Sequence, residues 1–263
     1  MPEPYRKTAW RARYRRPRSR HGQTSASPQL SIRLDNGDLP DVCQPYRGLE
    51  ISKTANTPLW IVAPSEDLCV NFANTLWWRG SPAPTEKLSG FRDLLDWLAA
   101  SQAVPTELFD CAVFWADADP EAADRLFRDA ISLREAIYQS LTAAALGDSA
   151  TAADFARLNN AVAAAPARTR LVRRGHAYAW DIVSAELTIP LLLTPVLWSA
   201  ADLLARGDYN RLRRCANDQC LWLFIDRSKG GTRRWCDMSS CGNRAKSRRH
   251  YQRSKPGGSG EPR

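Results

Sequence analysis

The chain has 263 residues, 37 Lys and Arg against 28 Asp and Glu, and a hydrophobic share of 44%. That length allows one large domain or a medium domain plus a small module, and that apolar share supports a packed core, which excludes disorder throughout. The longest apolar stretch, residues 189–205, is interrupted by Pro190, Pro195 and Asp202, so it falls short of the roughly 20 apolar residues that span a bilayer.

Residues 1–57 read as a disordered arm. Arg11, Arg13, Arg15, Arg16, Arg18 and Arg20 are interleaved with Tyr14, Pro17 and Ser19 without a lasting period, and residues 21–57 are rich in Gly, Ser, Pro and Asn. No apolar signal segment follows the basic start, which predicts a soluble protein of the cytoplasm. Organisation begins near Pro58. Ser65 with Glu66 and Asp67 predicts a helix start, and Leu68, Phe72 and Leu76 at helical spacing carry that helix to about Trp78. Ser89 starts a second helix with the stripe Phe91, Leu94, Leu95 and Leu98. Asp119-Pro120 starts a third, which runs through Leu126, Phe127, Ile131, Arg134, Ile137, Tyr138 and Leu141 and ends at Gly147. Thr151 opens a fourth, with Phe155, Leu158 and Val162. The segments 168–172 and 177–182 flank Arg173-Arg174-Gly175-His176 and predict a β-hairpin. A long helix over about 184–206, kinked at Pro190 and Pro195, completes a helical domain over 58–207.

Charge is unevenly divided. Residues 1–20 hold eight Arg and Lys with one acid, residues 206–263 hold fifteen with five, and the segment between is net acidic. An acidic body with two basic ends predicts a polyanionic partner, nucleic acid before a membrane surface. Within residues 208–254, Cys215 and Cys220 are separated by four residues, and Cys236 and Cys241 repeat that spacing. Two such pairs joined by the strand-forming stretch 221–225 and the turn Lys229-Gly230-Gly231 match the way one structural Zn²⁺ is held by four thiolates. Ordinary buried cysteines, a redox pair or an iron–sulfur cluster are the alternatives. A module of this size is too small to fold on its own core, which is why a metal is expected there.

The residues after Cys241 predict a basic helix whose metal-braced start aims Arg244, Lys246, Arg248, Arg249 and Arg253 at phosphates and base edges, with Arg233, Arg234 and Asn243 beside them. The partner expected is DNA. The alternatives are an RNA-binding or ribosome-associated module, because Trp222, Trp235 and Tyr251 offer stacking surfaces, and a small-molecule-binding helical domain for which the finger is a docking piece. Glycine-rich phosphate loops and the nucleophile and metalloprotease signatures are missing from the sequence, so no catalytic activity is expected. Asn71, Asn74, Thr75 and Arg134 form a candidate effector pocket in the body, because a charge in the apolar stripe of the third helix needs a partner. The competing reading is an internal bond from Arg134 to Asn74 or a carboxylate.

Cys241-Gly242-Asn243-Arg244, the Arg233-Arg234-Trp235-Cys236 run and the paired cysteine loops resemble the CGNR zinc finger family. Asn71-Phe72-Ala73-Asn74-Thr75 with Trp78-Arg79-Gly80, and the stretch 133–138, resemble the helical ABATE domain that precedes that finger, a domain described as a stress-induced transcription regulator. The resemblance implies a bacterial DNA-binding regulator, with the four cysteines as zinc ligands and the helical domain serving effector sensing or a homodimer contact. The fold expected is mainly α: an ABATE-like domain over 58–207 with a short β-hairpin, a finger over 208–254 made of a β-hairpin and a basic helix, and a disordered tail over 255–263.

Overall fold

The computed structural model describes residues 59–182, 187–207 and 209–254. The arm expected over 1–57 and the tail expected over 255–263 lie outside the described residues. The fold is mainly helical and is built around one long helix, α4 (Pro120–Leu146). Its start follows from local chemistry: Asp119 Oδ1 accepts from the Ala122 N–H at 2.9 Å, and Pro120 occupies the first turn, where its missing N–H costs nothing. Its end follows too, because Gly147 takes the left-handed conformation (φ 75°) that closes helices. Leu133, Ile137 and Leu141 face inward at helical spacing, and α1 (Leu68–Ala73), α2 (Phe91–Ala100), α3 (Thr106–Ala118), α5 (Ala152–Ala164), α6 (Ile189–Leu192) and α7 (Thr194–Ala205) pack around that stripe.

Three features depart from the helical pattern expected along the chain. The first helix ends at Ala73, well before Trp78, and Leu76–Trp77 (β2) pairs with Thr85–Glu86 (β3). The stop is made by side chains: Thr75 Oγ1 donates back to the Phe72 carbonyl at 2.8 Å, and the Asn74 amide turns away to the Leu223 backbone. α3, which the apolar pattern does not announce, follows Pro105; Phe109, Val113 and Trp115 flank its buried Leu108 and Ala112, so apolar residues surround it with little periodicity. The long helix expected over 184–206 is broken at Leu193 into α6 and α7, with a proline in the first turn of each piece.

The predicted hairpin is present as β4 (Arg170–Arg174) and β5 (Ala177–Ile182), turning at Gly175 with φ 61°. The edge of β5 left open is taken by β1 (Leu59–Ile61), giving a three-stranded antiparallel sheet in the order β1-β5-β4. In the C-terminal module, β6 (Leu212–Arg214) pairs antiparallel with β7 (Leu223–Ile225), so the Cys215–Cys220 loop is the tip of that hairpin. This differs from the expected arrangement, in which the hairpin lay between the two cysteine pairs. The segment after Lys229-Gly230-Gly231 does turn back, with Gly231 at φ 61°, but it returns as irregular chain pinned by Asp226, whose carboxylate accepts from the Ser228 and Arg233 N–H groups at 2.9 and 2.8 Å. A π-helical turn (Met238–Gly242) then leads into the basic helix α8 (Asn243–Ser254).

Candidate metal centre and its seat on the helical body

The four sulfurs of Cys215, Cys220, Cys236 and Cys241 lie within 4.8 Å of one another. A tetrahedron with metal–sulfur bonds near 2.3 Å requires sulfurs about 3.8 Å apart. Two of the six separations, Cys220–Cys236 at 3.6 Å and Cys236–Cys241 at 3.8 Å, match that spacing, and the cluster as a whole is compact enough to hold one metal ion. Without a cation the four thiols cannot ionise together. The neighbouring thiols pull Cys215 below the usual thiol range, while Cys220, facing that sulfur, is pushed above it. Cys236 is driven far above the usual thiol range by the same partners. A divalent ion removes this conflict by stabilising every thiolate at once.

Local hydrogen bonds explain why the sulfurs converge. The Cys220 and Leu221 N–H groups both donate to the Asn217 carbonyl, at 2.9 and 3.1 Å, and close the first loop. Asn217 is itself buried; its amide donates to the Cys241 sulfur at 3.4 Å, and its Oδ1 accepts from the Gln219 N–H at 3.2 Å. Such N–H···S contacts orient a ligand from outside the coordination sphere. In the second loop, Asp237 accepts from the N–H groups of Ser239 and Ser240 at the start of the π turn, and bonds from these two serines hold its carboxyl below the usual range. The spacing in the sequence points to the four clustered cysteines but not to Asn217 and Asp237, whose only sequence signal is a polar residue inside each short thiol loop.

The motif residues each have a distinct place. Cys241 is one of the four sulfurs. Gly242 donates to the Asp237 carbonyl at 3.0 Å, and a Cβ there would meet the Met238 sulfur at 2.7 Å. The Asn243 amide donates to the Ser239 carbonyl at 3.1 Å and ties the π turn to α8. The Arg244 guanidinium lies over the Trp78 ring, 4.3 Å from its centroid. Arg233 is exposed but bonded to its own module: it donates to the carbonyls of Trp235 and Cys236 and covers the Phe224 ring at 4.7 Å. Arg234 is exposed and lies over Trp235 at 5.4 Å. Lys246 is exposed, and Arg248 reaches Asp218 at 3.3 Å in an open ion pair. Arg249 and Arg253 fall on α8.

The four residues expected to form an effector pocket lie on α1, in the turn after it and on α4. Asn71 is exposed on α1. Asn74 makes two bonds to the backbone of Leu223, donating to its carbonyl at 2.8 Å and accepting from its N–H at 3.1 Å. Arg134 is 2% exposed and fully partnered: Glu86 holds it with two bonds of 2.7 Å, Glu135 accepts at 2.9 Å and Thr75 Oγ1 at 3.1 Å. Burial pushes the Glu86 carboxyl up, but the Arg134 guanidinium and the N–H groups of Leu88 and Lys87 outweigh it and leave it below the usual range. The partners of the buried arginine are thus Thr75 and a pair of carboxylates.

That network borders the seat of the C-terminal module. Leu212 and Leu223, on β6 and β7, are each 1% exposed and belong to the core of the helical body. Tyr138 Oη donates to the Leu221 carbonyl at 2.9 Å, Trp222 Nε1 donates to the Leu76 carbonyl at 3.3 Å, and the Trp222 ring meets Trp77 edge-on at 5.5 Å. Gly80 donates to the Gln219 carbonyl at 3.2 Å, and a Cβ on it would lie 1.9 Å from the Asp218 carbonyl oxygen. At the opposite edge Arg227 pairs with Asp67 at 2.5 Å and with Glu66 at 3.5 Å. Each contact joins residues far apart along the chain, so sequence reasoning could not find this seat.

A helical body with a four-cysteine finger seated on it and a basic terminal helix defines a metal-finger protein. Comparison with family models makes this specific: residues 66–207 match ABATE, described as "Putative stress-induced transcription regulator", and residues 211–254 match the CGNR zinc finger. The ABATE match alone spans more than half of the chain, and the protein belongs to this family of transcription regulators with a C-terminal CGNR zinc finger. Among curated proteins there is no match. No helix of the described residues is long and apolar enough to cross a membrane.

Proposed function

We propose that this protein regulates transcription by binding duplex DNA through the outer face of α8 and the π turn before it, with one structural Zn²⁺ held by Cys215, Cys220, Cys236 and Cys241. On this reading it is a binding protein and not an enzyme. Soft thiolates at tetrahedral spacing favour zinc, and four protein ligands leave no position open for chemistry. The observation that carries the DNA reading is a shallow groove lined by Ser239, Ser240, Asn243, Arg244, Ser247 and Arg248. Hydroxyls, an amide and two guanidinium groups line it without a carboxylate, which is the donor set that phosphate oxygens require. The nearest carboxylates are engaged: Asp237 caps the π turn, and Asp218 forms an exposed pair with Arg248 that phosphate can displace.

Duplex DNA is favoured over unpaired RNA because two of the aromatic residues suited to stacking are used elsewhere. Trp222 is wedged against the body, and Trp235 is half-buried beneath Arg234. The test is fluorescence anisotropy of the zinc-loaded chain with random-sequence duplex across a salt series. Affinity is expected to fall steeply with salt, and the slope of log K against log salt to shrink by about 0.9 for each phosphate contact removed from Arg244, Lys246 and Arg248. Undiminished binding by the triple alanine variant with zinc retained would refute the assignment, and tenfold tighter binding to single-stranded RNA would reassign the partner.

A further inference from the structure

Arg244 differs from four other arginines at the junction of body and finger. Arg79, Arg134, Arg206 and Arg227 all pair with carboxylates. Among the described residues, Arg244 makes no ion pair, and the group beneath it is the indole of Trp78. Trp78 comes from the helical body, not the finger, and it is delivered in an unusual way. Its backbone is left-handed, φ 55°, a conformation rare for a bulky side chain. The loop that imposes it is tied on each side: Ser81 donates to the Trp78 carbonyl at 2.9 Å, and Gly80 donates to the Gln219 carbonyl of the finger. Between them Arg79 is anchored by Glu135, the Ala73 carbonyl and the face of Tyr138 at 3.8 Å. The ring thus lodged packs against the cluster of Cys215, Cys220, Phe224 and Cys241 on one side and carries the Arg244 guanidinium.

A π face fixes a guanidinium without consuming its N–H donors and without neutralising its charge, whereas a carboxylate partner does both. That is the preparation a phosphate-binding arginine needs: the rotamer is ordered in advance, and all five N–H groups remain available. We propose that Trp78 is a positioning residue of the nucleic-acid site. It holds Arg244 at the groove for a phosphodiester group, so the site is assembled from body and finger together and is complete only when the finger is seated. This inference rests on the DNA-binding function proposed for α8.

The experiment uses the full zinc-loaded chain, a labelled random-sequence duplex, and the variants Trp78→Leu, Trp78→Phe, Arg244→Ala and Trp78→Leu/Arg244→Ala, with zinc content measured for each. Leucine keeps apolar volume but has no π face, and is expected to weaken binding about fivefold. Phenylalanine is expected to restore most of that loss. The double variant should bind as Arg244→Ala does, because nothing is left for Trp78 to position. Full affinity in Trp78→Leu, or a further fivefold loss on adding it to Arg244→Ala, would overturn the positioning role while leaving DNA binding by the finger intact. Absence of salt-dependent binding by the wild type would sink the DNA reading and this inference with it. A check independent of variant folding is the Arg244 Nε–H resonance of the wild type, expected to be shifted upfield by the indole ring current; an unshifted resonance overturns the proposal.

Discussion

Gly80→Ala tests whether the finger is built into the body or merely tethered to it. An added Cβ would lie 1.9 Å from the Asp218 carbonyl oxygen and 3.0 Å from both Asp218 C and Leu221 Cδ1, where real Cβ atoms keep beyond 3.0 Å from other groups. The obstacle is backbone, so no rotamer change relieves it, and the loop and the first cysteine loop must part by about 1 Å or more. Parting breaks the Gly80 N–H bond to the Gln219 carbonyl, worth about 1 kcal/mol net, and overpacking adds about 1–3 kcal/mol. The sum, about 2–4 kcal/mol, lowers the melting temperature by about 10 °C in a protein of this size. Calorimetry of the zinc-loaded chain is the assay, with Gly90→Ala as control. Gly90 has an extended backbone and open space where a Cβ would stand, but it is the N-cap of α2, where Ala is disfavoured, so a loss of about 1 kcal/mol without a clash is expected there. A Gly80→Ala melt within about 1 °C of the wild type would refute the close seating. So would a new low-temperature transition for the finger that leaves the main transition in place.

Three further outcomes are expected from the same contacts. Chelation of the metal is expected to lower the melting temperature of the whole chain, because Leu212 and Leu223 lie in the body core; circular dichroism with and without chelator measures this, and an unchanged main transition would contradict it. Arg134→Ala strands Glu86 beside a cavity, while Glu135 keeps Arg79, and is expected to cost about 2–4 kcal/mol in urea unfolding, less than the cost for a fully buried pair because the Glu86 carboxylate is about one-third exposed, whereas Arg134→Met, which refills the space, should recover part of that loss. Asp226, pulled down to about 2 mainly by its bonds to Ser228, is depressed relative to an unfolded chain. It therefore contributes stability present above about pH 4 that is lost as pH falls toward 2. Asp226→Asn should flatten the wild-type decline over that window, with zinc release followed in parallel, and identical acid profiles would show that the carboxylate has no such role.

What is legible in the sequence is what local chemistry decides. The Asp119-Pro120 start, the Gly147 stop, the hairpin around Gly175 and the duplicated thiol spacing each depend on residues within one or two turns of each other. The end of the first helix is not legible, because its decisive partner is the Leu223 backbone 149 residues away. The pairing of β6 with β7 is hidden for a related reason. Leu212, Leu223 and Ile225 look like any short apolar run until the body core that buries them is known. Arg134 stands out in the sequence as a charge needing a partner, and of the two readings it allows, an effector or a carboxylate, the fold realises the carboxylate. Trp78-Arg79-Gly80 reads in the sequence only as a helix stop and a family-like signature, yet each of its residues has a separate task at the seat of the finger.

The double hydrogen bond between Asn74 and Leu223 bears on how such proteins recombine. The finger and the helical domain look like separable cassettes along the chain, with a boundary just after Gly207. In three dimensions the boundary runs elsewhere: the hairpin of the finger is received by residues 74–80, at the far end of the body's sequence. A chimera that swaps everything after the boundary replaces a key while keeping the old lock. An exchange that carries residues 74–80 together with the incoming finger transfers both.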